Sequence, residues 1–321
     1  MFVSKQLAIG IVGLAGAAAA AWPVGFTAAS VVLLAGPHAA IELRYALARM
    51  PARCGPLARF FALAAAGLAA LSAGMIALTL ALRCGALDAS HAPAAYALWL
   101  ALTVVWAALL AAERARTPPR REWSRWVPFS LCLIGLAWLA PLECTMALVY
   151  LHPLVSFAVL DREVARTRPA AVSAYRAALG TVPVVVVCVF VAVAAGSAPP
   201  AEAGELAPRI LLQSGSGYLP QLPARALVAV HGLLELLHYL AWLVAIPLAS
   251  APRTGRILPI PLERRSPRAR RAVRRLLGLS LAGMAALWAG FAMSPGATWD
   301  LYFTLAIVHV LAEIPMLVRL L

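Results

Sequence analysis

The chain has 321 residues, 63% of them hydrophobic and only 12% charged, with a mean hydropathy of +0.86, a composition that argues against a water-soluble domain. A net charge of +14 does not mark a nucleic-acid binder here, because the arginines lie in short clusters between apolar runs, where they orient a membrane protein. The five cysteines (Cys54, Cys84, Cys132, Cys144 and Cys188) are scattered without a CxxC, which argues against a zinc ribbon or a disulfide framework.

At the N-terminus, Lys5 precedes an apolar run from Leu7 to Ala21 that also has the form of a signal peptide, with small residues near a cleavage point. The run continues past Trp22 and Pro23 to Glu42, about 36 residues, far longer than one ~30 Å crossing needs. Two short helices with a turn at Trp22-Pro23 are therefore expected. The run from Val127 to Leu160 has the same excess, and Pro141 supplies its turn.

This rule gives ten spans, at about 6–21, 24–47, 57–82, 93–112, 126–140, 142–160, 176–196, 225–249, 275–293 and 299–318. The arginines check it independently. Arg49, Arg53 and Arg59, then Arg114, Arg116, Arg120, Arg121 and Arg125, then Arg162, Arg166, Arg168 and Arg176, then nine from Arg253 to Arg275, all fall on one side. The other side holds Arg83, Arg209 and Arg225. The positive-inside rule then places both termini in the cytoplasm of a multi-pass protein of the cell inner (plasma) membrane. The expected fold class is an all-α helical membrane bundle, one integral domain over residues 1–321. Its external loop, at about 197–224, is rich in proline and glycine and reads as a loop or lid without a motif. Its basic cytoplasmic connection, at about 250–275, reads as a stretch facing lipid headgroups.

Inside these apolar runs, three histidines are each followed four residues later by a glutamate: His38 with Glu42, His231 with Glu235, and His309 with Glu313. Each pair projects from one helix face, and such groups in a span are costly enough to mark a functional site. His38, His152, His238 and His309 lie nine to eleven residues from the cytoplasmic ends of their helices, about 13 to 17 Å at about 1.5 Å per residue, near the bilayer midplane. All four sit on spans running outside to inside, so one bundle can converge them on a point. Neutral imidazole suits iron, copper and zinc, and four histidines form a metal shell with an open position. The glutamates then read as carboxylates that orient the bound imidazoles, or as direct ligands of a two-metal cluster. His231 lies about 10 Å outward of His238 along its helix and is the weaker candidate for the same ion.

Other polar groups have plainer readings. His91 reads as an exposed loop residue, and Asp161 and Glu163 as carboxylates paired with neighbouring arginines. Asp300 and Tyr302 read as a helix cap and an aromatic-belt residue, with substrate contact as the alternative. Pro37, Pro153 and Pro315 each lie within two residues of a histidine or glutamate of interest, where a kink can line a cavity. The nine tryptophans read as interface anchors.

The chain lacks GxGxxG, P-loop, GxSxG and HExxH motifs, which leaves a Rossmann cofactor, nucleotide-driven transport and serine hydrolysis without support. It also lacks the histidine boxes of membrane desaturases. Haem is the alternative cofactor, but cytochrome-b-type bundles place their haems at two depths with glycines opposite, whereas these histidines share one depth.

The run Ala35-Gly36-Pro37-His38, an early intramembrane histidine after a Gly-Pro step, together with histidines on later spans, resembles the Brp/Blh family of bacterial membrane enzymes. That resemblance implies cleavage of a carotenoid at a non-haem iron, with His38, His152, His238 and His309 as its ligands. Ala39-Ala40-Ile41-Glu42 replaces the family's Gly-Asp after the first histidine. The resulting expectation is a membrane-embedded oxygenase or oxidoreductase binding one or two non-haem iron ions and acting on a lipophilic small molecule such as an isoprenoid. Glu42, Glu235, Glu313 and Tyr302 are its candidate catalytic groups. The same residues also fit an ion or metal transporter or, with haem, an electron carrier.

Overall fold

The computed structural model describes residues 5–49, 57–116, 126–196, 204–250 and 260–320. Cys54, Arg53, Arg120, Arg121, Arg125, Arg253 and Arg256 lie outside the described residues, as do 197–203 of the external segment. The described residues form helices and no strand. The α-helices are α1 (Lys5–Ala21), α2 (Pro23–Arg49), α3 (Ala58–Arg83), α4 (Ala92–Arg116), α5 (Trp126–Leu139), α6 (Pro141–Leu151), α7 (Pro153–Thr167), α8 (Val172–Leu179), α9 (Val182–Ala195), α10 (Ala207–Gln213), α11 (Ala224–Leu240), α12 (Ile246–Ser250), α13 (Pro267–Met293) and α14 (Pro295–Leu320).

Among the described residues, eight helical segments are long and apolar enough to cross a membrane: α2, α3, α4 with its leading turn, α6–α7, the 169–195 segment that holds α8 and α9, α11–α12, α13 and α14. The ten expected spans are all helical, but α1 and α5, with 17 and 14 residues, reach only about 25 and 21 Å, short of a ~30 Å core. They are the leading halves of the two long runs, which break at Trp22 and Ala140 as expected. In each case a proline occupies the first position of the next helix, where its missing N–H costs nothing, and the residue before it still donates to the preceding turn and accepts from the next, Trp22 N to Ala18 O and Phe26 N to Trp22 O, Ala140 N to Leu136 O and Cys144 N to Ala140 O. Large apolar side chains are exposed on most of these helices, Leu14, Leu139 and Met293 by 74%, 85% and 85%, as suits eight segments of membrane-spanning length and hydropathy set in an apolar medium. The chain is accordingly a helical membrane protein.

Helix α13 begins eight residues before the expected span. Ser266 Oγ accepts from Ala269 N at 3.1 Å and Pro267 sits at the first turn, a capping arrangement that hydropathy does not register. The expected external loop likewise contains α10. Pro208 in its first turn starts it, and Ile210, fully buried, holds it against the protein.

The chain divides into two compact units, residues 1–49 with 150–300, and residues 50–149 with 301–321. In the first, α11 is the central helix, packed against α1, α2, α7, α9 and α10. The 224–250 segment is 78% buried, more than any other of the eight segments, so this span is covered nearly all round. Close approach to α2 is possible because residue 232 is glycine: a Cβ there would collide with Thr27 Oγ1, whose hydroxyl is committed to Pro23 O at 2.9 Å. After Tyr239 the helix widens into a π-turn at 241–245, accommodating Pro247, which has no N–H for the regular ladder.

In the second unit, α3 packs on α4 and α4 on α5, around Phe60, Leu71, Trp99, Trp106, Leu110 and Leu311. The indole of Trp99 donates to Leu71 O at 2.9 Å and that of Trp106 to Leu63 O at 3.0 Å, with Gly67 leaving room for the Trp106 ring. These two tryptophans, with Trp242 and Trp299, are buried, which corrects their reading as interface anchors. A buried indole needs an acceptor for its one N–H, and the helix backbone supplies it for Trp99 and Trp106.

Candidate metal centre

Three segments of the first unit carry side chains at the same 4-3-4 spacing, most of them polar: His38, Glu42, Tyr45 and Arg49 on α2; His152, just before α7, with Ser156, Val159 and Glu163 on it; His231, Glu235 and His238 on α11, with Trp242 in the π-turn that follows. This spacing aligns each set along one stripe of its helix. Helix α11 packs against both α2 and α7, so the stripes meet, and nearly every member is buried.

At one level of this packing the imidazole of His238 lies 5.3 Å from that of His38, edge to face, and 5.2 Å from that of His152. Ligating nitrogens of His38 and His238 come within 4.8 Å of each other. Both rings are fixed by the backbone. His238 Nδ1 faces Pro153 O at 3.3 Å and His38 Nδ1 faces Leu34 O at 3.3 Å. A carbonyl only accepts, so Nδ1 carries the proton on each ring and Nε2 carries the lone pair. A backbone carbonyl behind the imidazole is the usual arrangement for a metal-binding histidine, since it sets the tautomer and raises the basicity of the other nitrogen. His152 sits at the joint between α6 and α7, where Pro153 interrupts the helix. The proline thus brings both His152 and its own carbonyl to His238. Pro37, by contrast, is accommodated within α2.

The Tyr239 ring lies against His38, with centroids 4.4 Å apart and planes at 33°, and is itself buried. Sequence reasoning missed it, and nothing in spacing or composition distinguishes it from a lipid-facing tyrosine. Sequence reasoning missed Tyr45 as well, although the 4-3-4 spacing from His38 through Glu42 was there to find it; Glu163 was read from its neighbouring arginines alone.

At the other end of those stripes, Glu163 collects four donors. Tyr45 Oη donates to Oε1 at 2.7 Å, while Arg49 at 2.9 Å, Arg166 at 2.6 Å and Ser250 at 3.2 Å donate to Oε2. The carboxylate joins α2, α7 and α12 by hydrogen bonds, as its expected pairing with arginines required. Asp161 pairs in the same way with Arg176, through two bonds of 2.8 and 2.9 Å.

Glu42 is buried in the α2 stripe one turn from His38. His231 and Glu235 are buried on α11, with His231 Nε2 and Glu235 Oε1 3.7 Å apart, and the Tyr150 ring is 5.4 Å from His231. His309, Glu313 and Tyr302 belong to the second unit. There Glu313 is buried, His309 is half-buried with a ligating nitrogen within 4.8 Å of a Glu313 oxygen, and Tyr302 contacts Phe303 with ring centroids 4.9 Å apart. Asp300 is no helix cap, because α14 starts at Pro295; its Oδ1 accepts instead from Arg209 Nε at 3.3 Å. His91 is exposed in a short turn, as expected.

No family model matches the chain, and comparison with curated proteins and with solved structures finds no match either.

Proposed function

We propose that this protein is a membrane-embedded non-haem metal oxidoreductase in which His38, His152 and His238 hold the ion and the substrate is a lipophilic molecule. The observation that carries the reading is the His238 ring with an imidazole neighbour on either side and a carbonyl behind its Nδ1. Two imidazoles bound to one ion at about 2.1 Å bring their ring centres to about 5 Å, close to both separations here. The donor set suits iron, copper or zinc. Edge-to-face contact between His38 and His238 leaves no room for a macrocycle between them, which favours a non-haem ion over haem. When bound, such an ion supplies an open coordination position for dioxygen or substrate. The protein's own groups orient the imidazoles: Pro153 O and Leu34 O through hydrogen bonds, and Tyr239 by packing on His38. Apolar surroundings at this depth favour a substrate that partitions into lipid. The likeness of Gly36-Pro37-His38 to the Brp/Blh enzymes supports iron as the ion and an isoprenoid such as a carotenoid as the substrate class.

Elemental analysis and a visible spectrum of the purified protein test this directly. Stoichiometric iron without a Soret band is the expected result. A Soret band would replace the reading with haem-based electron transfer, and absence of any retained metal would point to cation transport.

The proposal includes a ten-segment inner-membrane topology with both termini cytoplasmic, resting on the one-sided arginine distribution. Reporter fusions after residues 54, 118, 170 and 262 should report cytoplasm, and those after 88 and 205 the outside. A periplasmic report at 118 would sink it.

A further inference from the structure

The deepest polar groups on α11 outside the histidine cluster are His231 and Glu235, 1% and 4% exposed. Among the described residues, neither ring nitrogen of His231 nor Oε2 of Glu235 has a hydrogen-bond partner. Their own closest approach, 3.7 Å from Nε2 to Oε1, is too long for a hydrogen bond. Two imidazole nitrogens and a carboxyl oxygen buried without partners in an apolar span cost several kcal/mol, a cost that an occupant of the gap would offset. The neighbouring tyrosine does not: the one proton of Tyr150 Oη is shared between Ser214 O at 3.0 Å and Leu227 O at 3.2 Å, and the hydroxyl makes no hydrogen bond to either His231 nitrogen or to Glu235 Oε2. Gly232 brings α2 close beside the pair and closes it from that side.

We propose that His231 and Glu235 form a second cation site, for one divalent transition-metal ion, separate from the three-histidine cluster. Nitrogen and carboxylate oxygen ligands about 2.1 Å from one ion lie about 3.4 Å apart at a tetrahedral angle and reach 3.7 Å at about 125°, so an ion fits the observed gap with little adjustment. The second carboxylate oxygen is available to chelate it. One nitrogen and one carboxylate are a sparse protein shell, which makes this the weaker of the two sites. Seven residues separate His231 from His238, about 10 Å along the helix, whereas ions that share ligands sit about 3.5 to 4 Å apart; the pair therefore holds its own ion. Its place on the same helix stripe as His238 puts it one step away from the cluster.

The test is a Co²⁺ titration of the full-length, detergent-solubilised protein after chelator stripping, read by calorimetry and by the visible absorption of bound Co²⁺. Two binding events are expected. Glu235→Gln and, independently, His231→Asn should each remove the weaker one and leave the stronger, while His238→Ala should remove the stronger and leave the weaker. Persistence of every binding event in both Glu235→Gln and His231→Asn would overturn the proposal, and either variant alone decides it should the other fail to accumulate. The proposal stands apart from the histidine centre: a single event lost in Glu235→Gln and untouched in His238→Ala would keep this site and remove the other.

Discussion

Replacing His238 with alanine is expected to reduce metal affinity by more than 100-fold. Removing an outer hydrogen-bond partner of a metal ligand typically costs about 10- to 100-fold, and His238 is placed to do more than that. Its ring is the one that neighbours both His38 and His152, so its loss removes a ligand and the contact that holds the other two in register. It also takes from Pro153 O the His238 donor at 3.3 Å, while the Ser156 hydroxyl still donates to it at 2.8 Å. Metal analysis of the purified variant checks this, with His91→Ala as a control that should retain full metal, since His91 is exposed in a turn. Full retention of metal in His238→Ala would remove His238 from the coordination shell and with it the centre as described.

The second large effect is on stability. Glu163→Ala should destabilise the protein by about 3 kcal/mol, near the lower end for breaking a buried ion pair. The carboxylate side chain is 5% exposed and serves four donors from three elements. Arg166, 49% exposed, can turn to solvent when its partner goes, and Arg49, 25% exposed, can do so in part, which keeps the cost from rising further. Tyr45 and Ser250 are buried and cannot, so each hydroxyl is left without its acceptor at about 1 to 3 kcal/mol. Thermal unfolding in detergent measures the loss. A midpoint within one degree of wild type would show that the network holds nothing together. Asp161→Ala, at an exposed pair, should change the midpoint little.

Local properties were legible in the amino-acid order alone. Both proline-marked breaks, at Trp22-Pro23 and before Pro141, fall where run length and proline geometry put them, because neither depends on what packs nearby. His38, His152, His238 and His309 were picked out by their distance from helix ends; the first three neighbour one another in the first unit, whereas His309 lies in the second unit and the proposed centre is built without it. The capped start of α13 at Ser266 and the short α10 were missed, since hydropathy windows register only apolar length.

Helix length, break points, the clustering of the arginines between apolar runs and the HxxxE spacing are properties of the sequence by itself, each a matter of position along the chain. Only the tertiary structure decided how far each helix is rotated about its axis. In a soluble protein an apolar face announces the core, but in lipid the outside is as apolar as the inside, so hydropathy cannot orient the helix. Steric fit does so instead. Gly232 seats α11 on Thr27 of α2, and the Pro153 break turns His152 and a carbonyl toward His238. Those two contacts determine that His238 meets His38 and His152 while His231, on the same stripe, faces Tyr150.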